Sequence, residues 1–281
     1  MKLNDTERLI IAQYIAEANL SYTNRISSPV TPKYSLYANY IKRGIDIVVS
    51  GILLLITLPI NLLIGIATFF DVGRPLFFRQ KRIGKDCEEF EIVKFRNMTN
   101  DVDSSGMLLL PEQRVTKWGK FVRKTSLDEL LNLWSVFKGD MSLIGPRPLL
   151  PKYLPRYSER HKMRHAIRPG LECPRIAPTI DEACSRWEQQ FENDVWYVEN
   201  VSLAVDLKMV ASLVKLVFDQ KETKSRGEAQ RGAFMGYDDN GQAMDSSDIP
   251  VELIQRMRRE YGNNITPKSI KQKKRSGYVE K

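Results

Sequence analysis

Cysteine is scarce in this chain of 281 residues, with three widely separated thiols at Cys87, Cys173 and Cys184. That number and placement do not build a disulfide framework, and they fit a reducing, cytosolic compartment. Histidine is scarcer still. His161 and His165 lie four apart in His-Lys-Met-Arg-His, a run without the acidic residue of a zinc-protease helix. Both read as surface or phosphate-proximal side chains rather than metal ligands. The chain also lacks zinc-finger spacing, heptads and internal repeats. Its aromatics do not interleave with basic residues as a single-strand platform would, so no nucleic-acid partner is expected.

Positive charge is in excess, at a formal net +9. Such a balance suits an anionic membrane surface, a phosphate-bearing substrate or nucleic acid, the last as a minor alternative. One segment makes the membrane the first choice. From Ile45 to Phe70 the chain is apolar apart from Asp46 as its only charge, longer than the roughly 20 residues a spanning helix needs. It starts too far into the chain for a cleaved signal peptide. Pro59 falls near its middle, where the missing N–H and the ring should break or kink a helix. Thr57 and Asn61 flank the proline and could satisfy the freed backbone groups. Each half is then roughly 17–21 Å long at about 1.5 Å per residue, a better match to one leaflet than to the whole core. Lys42 and Arg43 precede the segment, and Arg74, Arg79, Lys81 and Arg82 follow it. The positive-inside rule places both ends on the cytoplasmic side, which favours a re-entrant hairpin over a span.

The richest chemistry lies between Arg123 and Pro148. Asp128-Glu129 has Arg123 and Lys124 before it and Lys138 and Arg147 after it, and the stiff loop Gly145-Pro146-Arg147-Pro148 follows. Two readings of the acidic pair stand side by side. Ser126-Leu-Asp-Glu129 fits a helix capping box. That local reading comes first on spacing alone; the other is that two carboxylates facing fixed cations suit work on a phosphate, by holding a divalent metal or attacking phosphorus.

The chain divides into a polar extension (1–38), the membrane segment (39–72), a catalytic-sized domain (73–218) and a polar, basic extension (219–281). A helix is expected from Thr6 to Asn19. Strands are expected at Leu76–Arg82 and Phe90–Phe95, carrying Arg79, Lys81, Arg82, Lys94 and Arg96. Helical patterns follow at Leu127–Phe137, Tyr157–His165 and Val201–Phe218, the last amphipathic enough to pack on the domain or lie at the headgroup level. Beyond Lys221 the stretches KETKSRGEAQRG and GYDDNGQAMDSSD read as loop, Ile254–Tyr261 as a short helix, and Lys268–Lys281 as a tail for anionic lipid. The fold class is therefore α+β and mainly helical, with a re-entrant membrane helix broken at Pro59, a small β-hairpin and amphipathic interfacial helices.

In this order the segments resemble the bacterial sugar transferases, the monotopic phosphoglycosyl transferases. The likeness runs from Tyr40 to about Lys208. It is carried by Lys42-Arg43 with Asp46, by Pro59, and by Gly73 with Pro75-Leu-Phe-Phe-Arg-Gln-Lys-Arg-Ile-Gly84. Lys94-Phe-Arg-Asn-Met98, Arg123-Lys-Thr-Ser-Leu-Asp-Glu129 and Lys138-Gly-Asp-Met-Ser-Leu-Ile-Gly-Pro-Arg-Pro148 continue it. Arg164-His165, Arg168-Pro-Gly170 and Asp194-Val-Trp-Tyr-Val-Glu-Asn200 with Ser202 and Asp206 complete it. Each fragment alone is weak, and the ordered set is specific.

The resemblance implies a membrane enzyme with its active site on the cytoplasmic face of the bacterial inner membrane. It implies transfer of a phospho-sugar from a UDP-sugar to polyprenyl (undecaprenyl) phosphate with release of UMP, the first membrane step of a glycan pathway. Asp128 matches the nucleophile, Glu129 the Mg²⁺ ligand beside it, and Lys94, Arg123, Arg147 and Arg168 are the phosphate-contacting candidates. Self-association through the hairpin or the late helix, and downstream glycosyltransferases as partners, are compatible with it. The competing expectation is a catalytically silent membrane scaffold that recruits glycan-assembly enzymes. Two departures stand out. Leu58, rather than a small hydroxylated residue, precedes Pro59, with Thr57 one place earlier. The run Leu171–Ala177 also differs from the family pattern, with Arg175 as a conceivable substitute contact.

Overall fold

The computed structural model describes residues 3–104, 106–174, 176–177, 186–218 and 232–261. Helix α1 (Asp5–Ile26) begins at a reciprocal cap, in which Asn4 accepts the Glu7 N–H and the Glu7 carboxylate accepts the Asn4 N–H. A wide helical turn over Tyr37–Ile41 leads into α2 (Lys42–Val72), which ends at Gly73 with φ +67°. Strands β1 (Phe77–Ile83) and β2 (Glu89–Phe95) form an antiparallel hairpin, with Phe77 opposite Phe95 and Ile83 opposite Glu89. Short helices α3 (Pro111–Arg114) and α4 (Lys117–Lys124) follow. A 3₁₀ turn at Leu127–Glu129 then enters α5 (Asn132–Lys138).

Strand β3 (Ser142–Ile144) pairs in parallel with β4 (Gly170–Glu172), across a connection that includes α6 (Glu159–Lys162). The two strands meet at glycines. A Cβ on Gly170 would stand 2.1 Å from the Gly145 nitrogen, and one on Gly145 would stand 2.6 Å from the Arg168 carbonyl oxygen. Helices α7 (Trp187–Asn200) and α8 (Leu203–Phe218), hairpin β5 (Phe234–Tyr237)–β6 (Ala243–Asp245) and α9 (Val251–Tyr261) complete the fold. The expected mainly helical α+β class is what forms.

Several expectations change. GYDDNGQAMDSSD is not loop throughout, because β5 and β6 lie in and around it and Phe234, Met235 and Tyr237 are buried. The apolar residues just before that polar run supply the burial that its composition hides. Residues 219–231 and 262–281, the basic tail included, lie outside the described residues. The expected Tyr157–His165 helix is shortened to α6 followed by a 3₁₀ turn at Met163–Ala166, and a 3₁₀ stretch at Pro151–Arg156 precedes it. The first and last segments of the chain also meet. Ile10, Ile11 and Ile15 of α1 pack with Met235, Ile254 and Met257, and Arg258 pairs with Glu7 at 2.7 Å. An aromatic cluster of Tyr153, Tyr157, Trp187, Phe191, Phe234 and Tyr237 seats this unit on the central domain.

Helix α2 continues through Pro59 rather than ending there. Thr57 Oγ1 donates to the Leu53 carbonyl at 2.7 Å, and Asn61 Nδ2 to Thr57 Oγ1 at 3.3 Å. Neither bond reaches the carbonyl of Leu55, four before the proline, so the expected repair of the ladder by these side chains is not what they do. Around the proline the helix is bare, with Leu55, Leu62 and Leu63 74%, 65% and 67% exposed.

Its two ends are tied to one domain. At the first end Arg43 donates to the carbonyls of Val136 and Phe137 (2.6 and 2.7 Å), Lys42 pairs with Asp206 (2.6 Å), and Asp46 accepts from Ser142 Oγ and the Leu143 N–H (3.0 Å each). At the other end Trp118 Nε1 donates to Thr68 (3.2 Å), Thr116 to Asp71 (2.6 Å), and Arg96 to the Val72 carbonyl. A further apolar surface accompanies it. On α8, Leu203, Leu207, Val210 and Val214 form one exposed stripe while Met209 is buried. Phe121, Trp134 and Phe137 are exposed as well.

Candidate active site

Strand β2 and the 3₁₀ turn at Leu127–Glu129 place the acidic pair in a cleft of ≈ 670 Å³, lined by Lys94, Arg96, Asn97, Arg123, Asp128 and Glu129 among others. The capping box does not form. Ser126 stands at φ +55° with no side-chain cap bond, so the turn starts in a left-handed conformation and α5 begins only at Asn132. Local spacing alone therefore misleads here, because Glu129 is drawn outward by two cations. Lys94 Nζ and Arg147 Nη2 both donate to its Oε1, at 2.5 and 3.0 Å.

The two carboxylates live in different environments. Asp128 is 6% exposed, and its carboxylate accepts a long side-chain bond from Asn97 Nδ2, at 3.3 Å. Burial pushes its carboxyl above the usual aspartate range; Lys94 and Arg123 oppose that shift and Glu129 adds to it. Burial acts on Glu129 in the same direction, but the charges of Arg147 and Lys94 outweigh it and hold its carboxyl low. Their environments separate the pair in basicity, as sites with two carboxylates in different roles require. Glu129 Oε2 accepts no hydrogen bond among the described residues, and together with Asp128 it offers hard oxygen donors of the kind Mg²⁺ takes.

Supporting contacts fix these groups. Asn97 is set by α4, whose Gly119 lies so close that a Cβ there would fall 2.2 Å from the Asn97 carbonyl oxygen. The Arg147 carbonyl accepts from Arg164 Nη2 at 2.8 Å, and Arg164 is itself held by Asp194 at 2.6 Å. Arg82 donates to the Pro148 carbonyl at 3.2 Å. Asn97 and Arg164 were not singled out among the candidate site residues. Lys94-x-x-Asn97 at the end of a strand was the available signal for the first; Arg164-His165 and Asp194 belong to the ordered motifs, but only the packing joins them to the Arg147 loop.

Of the candidates, Lys94, Arg123, Asp128 and Glu129 share the main cleft. Arg147 joins from its rim through Glu129. Arg168 does not join. Its Nε donates to the Gly139 carbonyl at 2.9 Å, and it lines another cleft with Lys42 and Arg43. Arg175 lies outside the described residues.

The histidines are not surface groups, since both are buried. His165 is pushed down to about 3 by burial and by Arg164. His161 Nε2 stands 2.8 Å from Glu192 and 3.8 Å from Glu188, a grouping with metal-ligand geometry. Arg160, however, binds both oxygens of Glu192, at 2.8 and 2.6 Å, closing the cluster as a structural network between α6 and α7.

Residues 37–220 match the family model described as bacterial sugar transferase. Among curated proteins, the chain is 40% identical over 71% of its length to an uncharacterized sugar transferase, EpsL, of Bacillus subtilis (strain 168), covering 98% of that protein. It is 31% identical over 65% of its length to a UDP-N-acetylgalactosamine-undecaprenyl-phosphate N-acetylgalactosaminephosphotransferase of Aeromonas hydrophila, and spans 44% of it. A UDP-glucose:undecaprenyl-phosphate glucose-1-phosphate transferase of Klebsiella pneumoniae is 35% identical over 65% of the chain, which spans 42% of that relative.

Proposed function

Because the chain belongs to the bacterial sugar transferase family, we propose that it moves a sugar phosphate from a UDP-sugar to polyprenyl phosphate and releases UMP. The observation that carries this reading is the unequal acidic pair, with Asp128 buried and basic and Glu129 clamped between Lys94 and Arg147. In the first step an Asp128 oxygen bonds to the phosphorus bearing the sugar, and the bond from that phosphorus to the UMP oxygen breaks. In the second step an oxygen of polyprenyl phosphate bonds to the same phosphorus and the bond to Asp128 breaks, restoring the carboxylate. Splitting the reaction lets two anionic substrates be handled in turn.

A desolvated carboxylate with raised basicity suits the nucleophile's role, provided it is ionised. Lys94 and Arg123 are placed to favour the ionised form, and Arg123, lining the cleft, also suits contact with substrate phosphate. Glu129, with Asp128, would hold Mg²⁺, which would supply charge neutralisation at the diphosphate.

Membrane attachment by re-entry belongs to the same proposal. Both ends of α2 bond to one domain while its middle is bare and apolar. A hairpin dipping into one leaflet satisfies these facts, and the exposed stripe of α8 with Trp134 suits the headgroup level. The domain would then face the cytoplasm, where UDP-sugars are supplied.

The test is UMP release by solubilised protein with Mg²⁺, polyprenyl phosphate and a panel of UDP-sugars, beside Asp128→Asn. UMP from one donor, lost in the variant, is the expected result and names the sugar. UDP release instead would overturn the aspartyl route, and silence from folded protein across the panel would favour a scaffold.

A further inference from the structure

A second cleft, of ≈ 290 Å³, opens beside the first turns of α2 and shares no lining residue with the cleft around Asp128. Its cations come from distant parts of the chain: Lys33 from the first extension, Arg43 from α2, Lys85 from the β-hairpin turn and Arg168 ahead of β4. Two of them are fixed by carbonyls and form no salt bridge among the described residues. Arg43 donates to the Val136 and Phe137 carbonyls and Arg168 to the Gly139 carbonyl, all at the end of α5, so these bonds hold each guanidinium on a rigid mount without a carboxylate. Lys33 and Lys85 are exposed, and Lys85 has only a 3.6 Å contact with Asp86. Lys42 also lines the cleft but is spent on Asp206. The one carboxylate in the lining, Asp46, is buried and engaged by Ser142 and Leu143.

We infer that this cleft binds the headgroup of an anionic phospholipid. The positive charge calls for an anion, and the position selects a lipid. Tyr40 and Arg43 line the cleft, and the turns of α2 that follow expose Ile45, Ile47, Val48 and Ile52. A phosphate held by Arg168, Lys33 and Lys85 would thus have its acyl chains lying along an apolar helix. The bound lipid would fasten the first end of α2 to the domain, apart from any substrate. This rests on the membrane attachment proposed above and not on the transfer reaction.

Thermal unfolding of the full chain in detergent tests it, with short-chain phosphatidylglycerol, short-chain phosphatidylcholine and inorganic phosphate as probes. Phosphatidylglycerol should raise Tm where the other two do not. Lys33→Gln with Lys85→Gln should weaken its half-saturation about fivefold per lysine. An equal effect of inorganic phosphate would overturn the lipid assignment, and an equal effect of phosphatidylcholine would reduce it to acyl-chain binding. No shift with phosphatidylglycerol, or a double variant that responds like the parent, would overturn the site. UMP release on the same samples reads the transfer reaction separately, so either proposal can fail alone.

Discussion

Arg164 and Asp194 form an ion pair at 2.6 Å with neither side chain exposed, and the same guanidinium donates to the carbonyl of Arg147 at 2.8 Å. The pair connects α7 to the loop whose arginine clamps Glu129. Replacing Asp194 by Asn would leave Arg164 charged and without its counter-charge inside the protein, at a cost of about 3–5 kcal/mol. Denaturant unfolding should register that loss. A change below about 1 kcal/mol would mean the pair contributes little beyond its hydrophobic surroundings.

Asp128→Asn should separate stability from activity. A carboxyl whose folded pKa is raised favours the folded state when protonated, and that contribution is lost as pH rises through the folded value. At neutral pH the charged form therefore carries a burial penalty, which the amide removes. The variant should melt higher than the parent at pH 7, with the gap closing toward acid, while turnover falls by about a thousandfold or more. A lower melting temperature at neutral pH would contradict the burial argument.

Arg123→Gln removes a charge that lowers the Asp128 pKa. If Asp128 is the nucleophile proposed above, the acid limb of the rate profile should then move to higher pH, since its carboxyl must lose the proton against less help. An unmoved limb, with only the apparent affinity for donor weakened, would assign Arg123 to substrate phosphate alone.

Gly170→Ala should destabilise by about 1–3 kcal/mol through overpacking, since the new Cβ meets the backbone of Gly145. Because the obstacle is main chain, no rotamer change relieves it. Normal thermal stability would show that β3 and β4 can separate without cost.

Membrane topology is open to labelling in a background without native cysteines. Tyr40→Cys and Arg74→Cys should both react with an impermeant maleimide from the cytoplasmic side, and Leu58→Cys should be protected. Reaction of one end only from outside would establish a span and sink the re-entrant reading.

Local chemistry in the sequence was enough for the apolar segment, the β-hairpin and the mainly helical class. Apolar runs and alternating strands carry their own signal, and β1 and β2 form within one residue of the expected ends. The ordered motifs also carried the family. What the chain by itself misjudged depended on partners far away in sequence. Ser126 looked like a cap until Lys94 and Arg147 drew Glu129 elsewhere. Arg168 reads in its motif as a partner of the acidic pair, whereas the fold sets it at the end of α5 beside another cleft. The histidines looked exposed because nothing local announced the aromatic cluster and Glu192 around them. Likewise the union of α1 with β5 and α9 follows from burial of apolar faces more than two hundred residues apart, as with Glu7 and Arg258. Composition and spacing determine which elements can form and what chemistry they carry. Long-range packing and charge pairing, which cost chain entropy and recover it only in the assembled fold, decide which of those groups share a site.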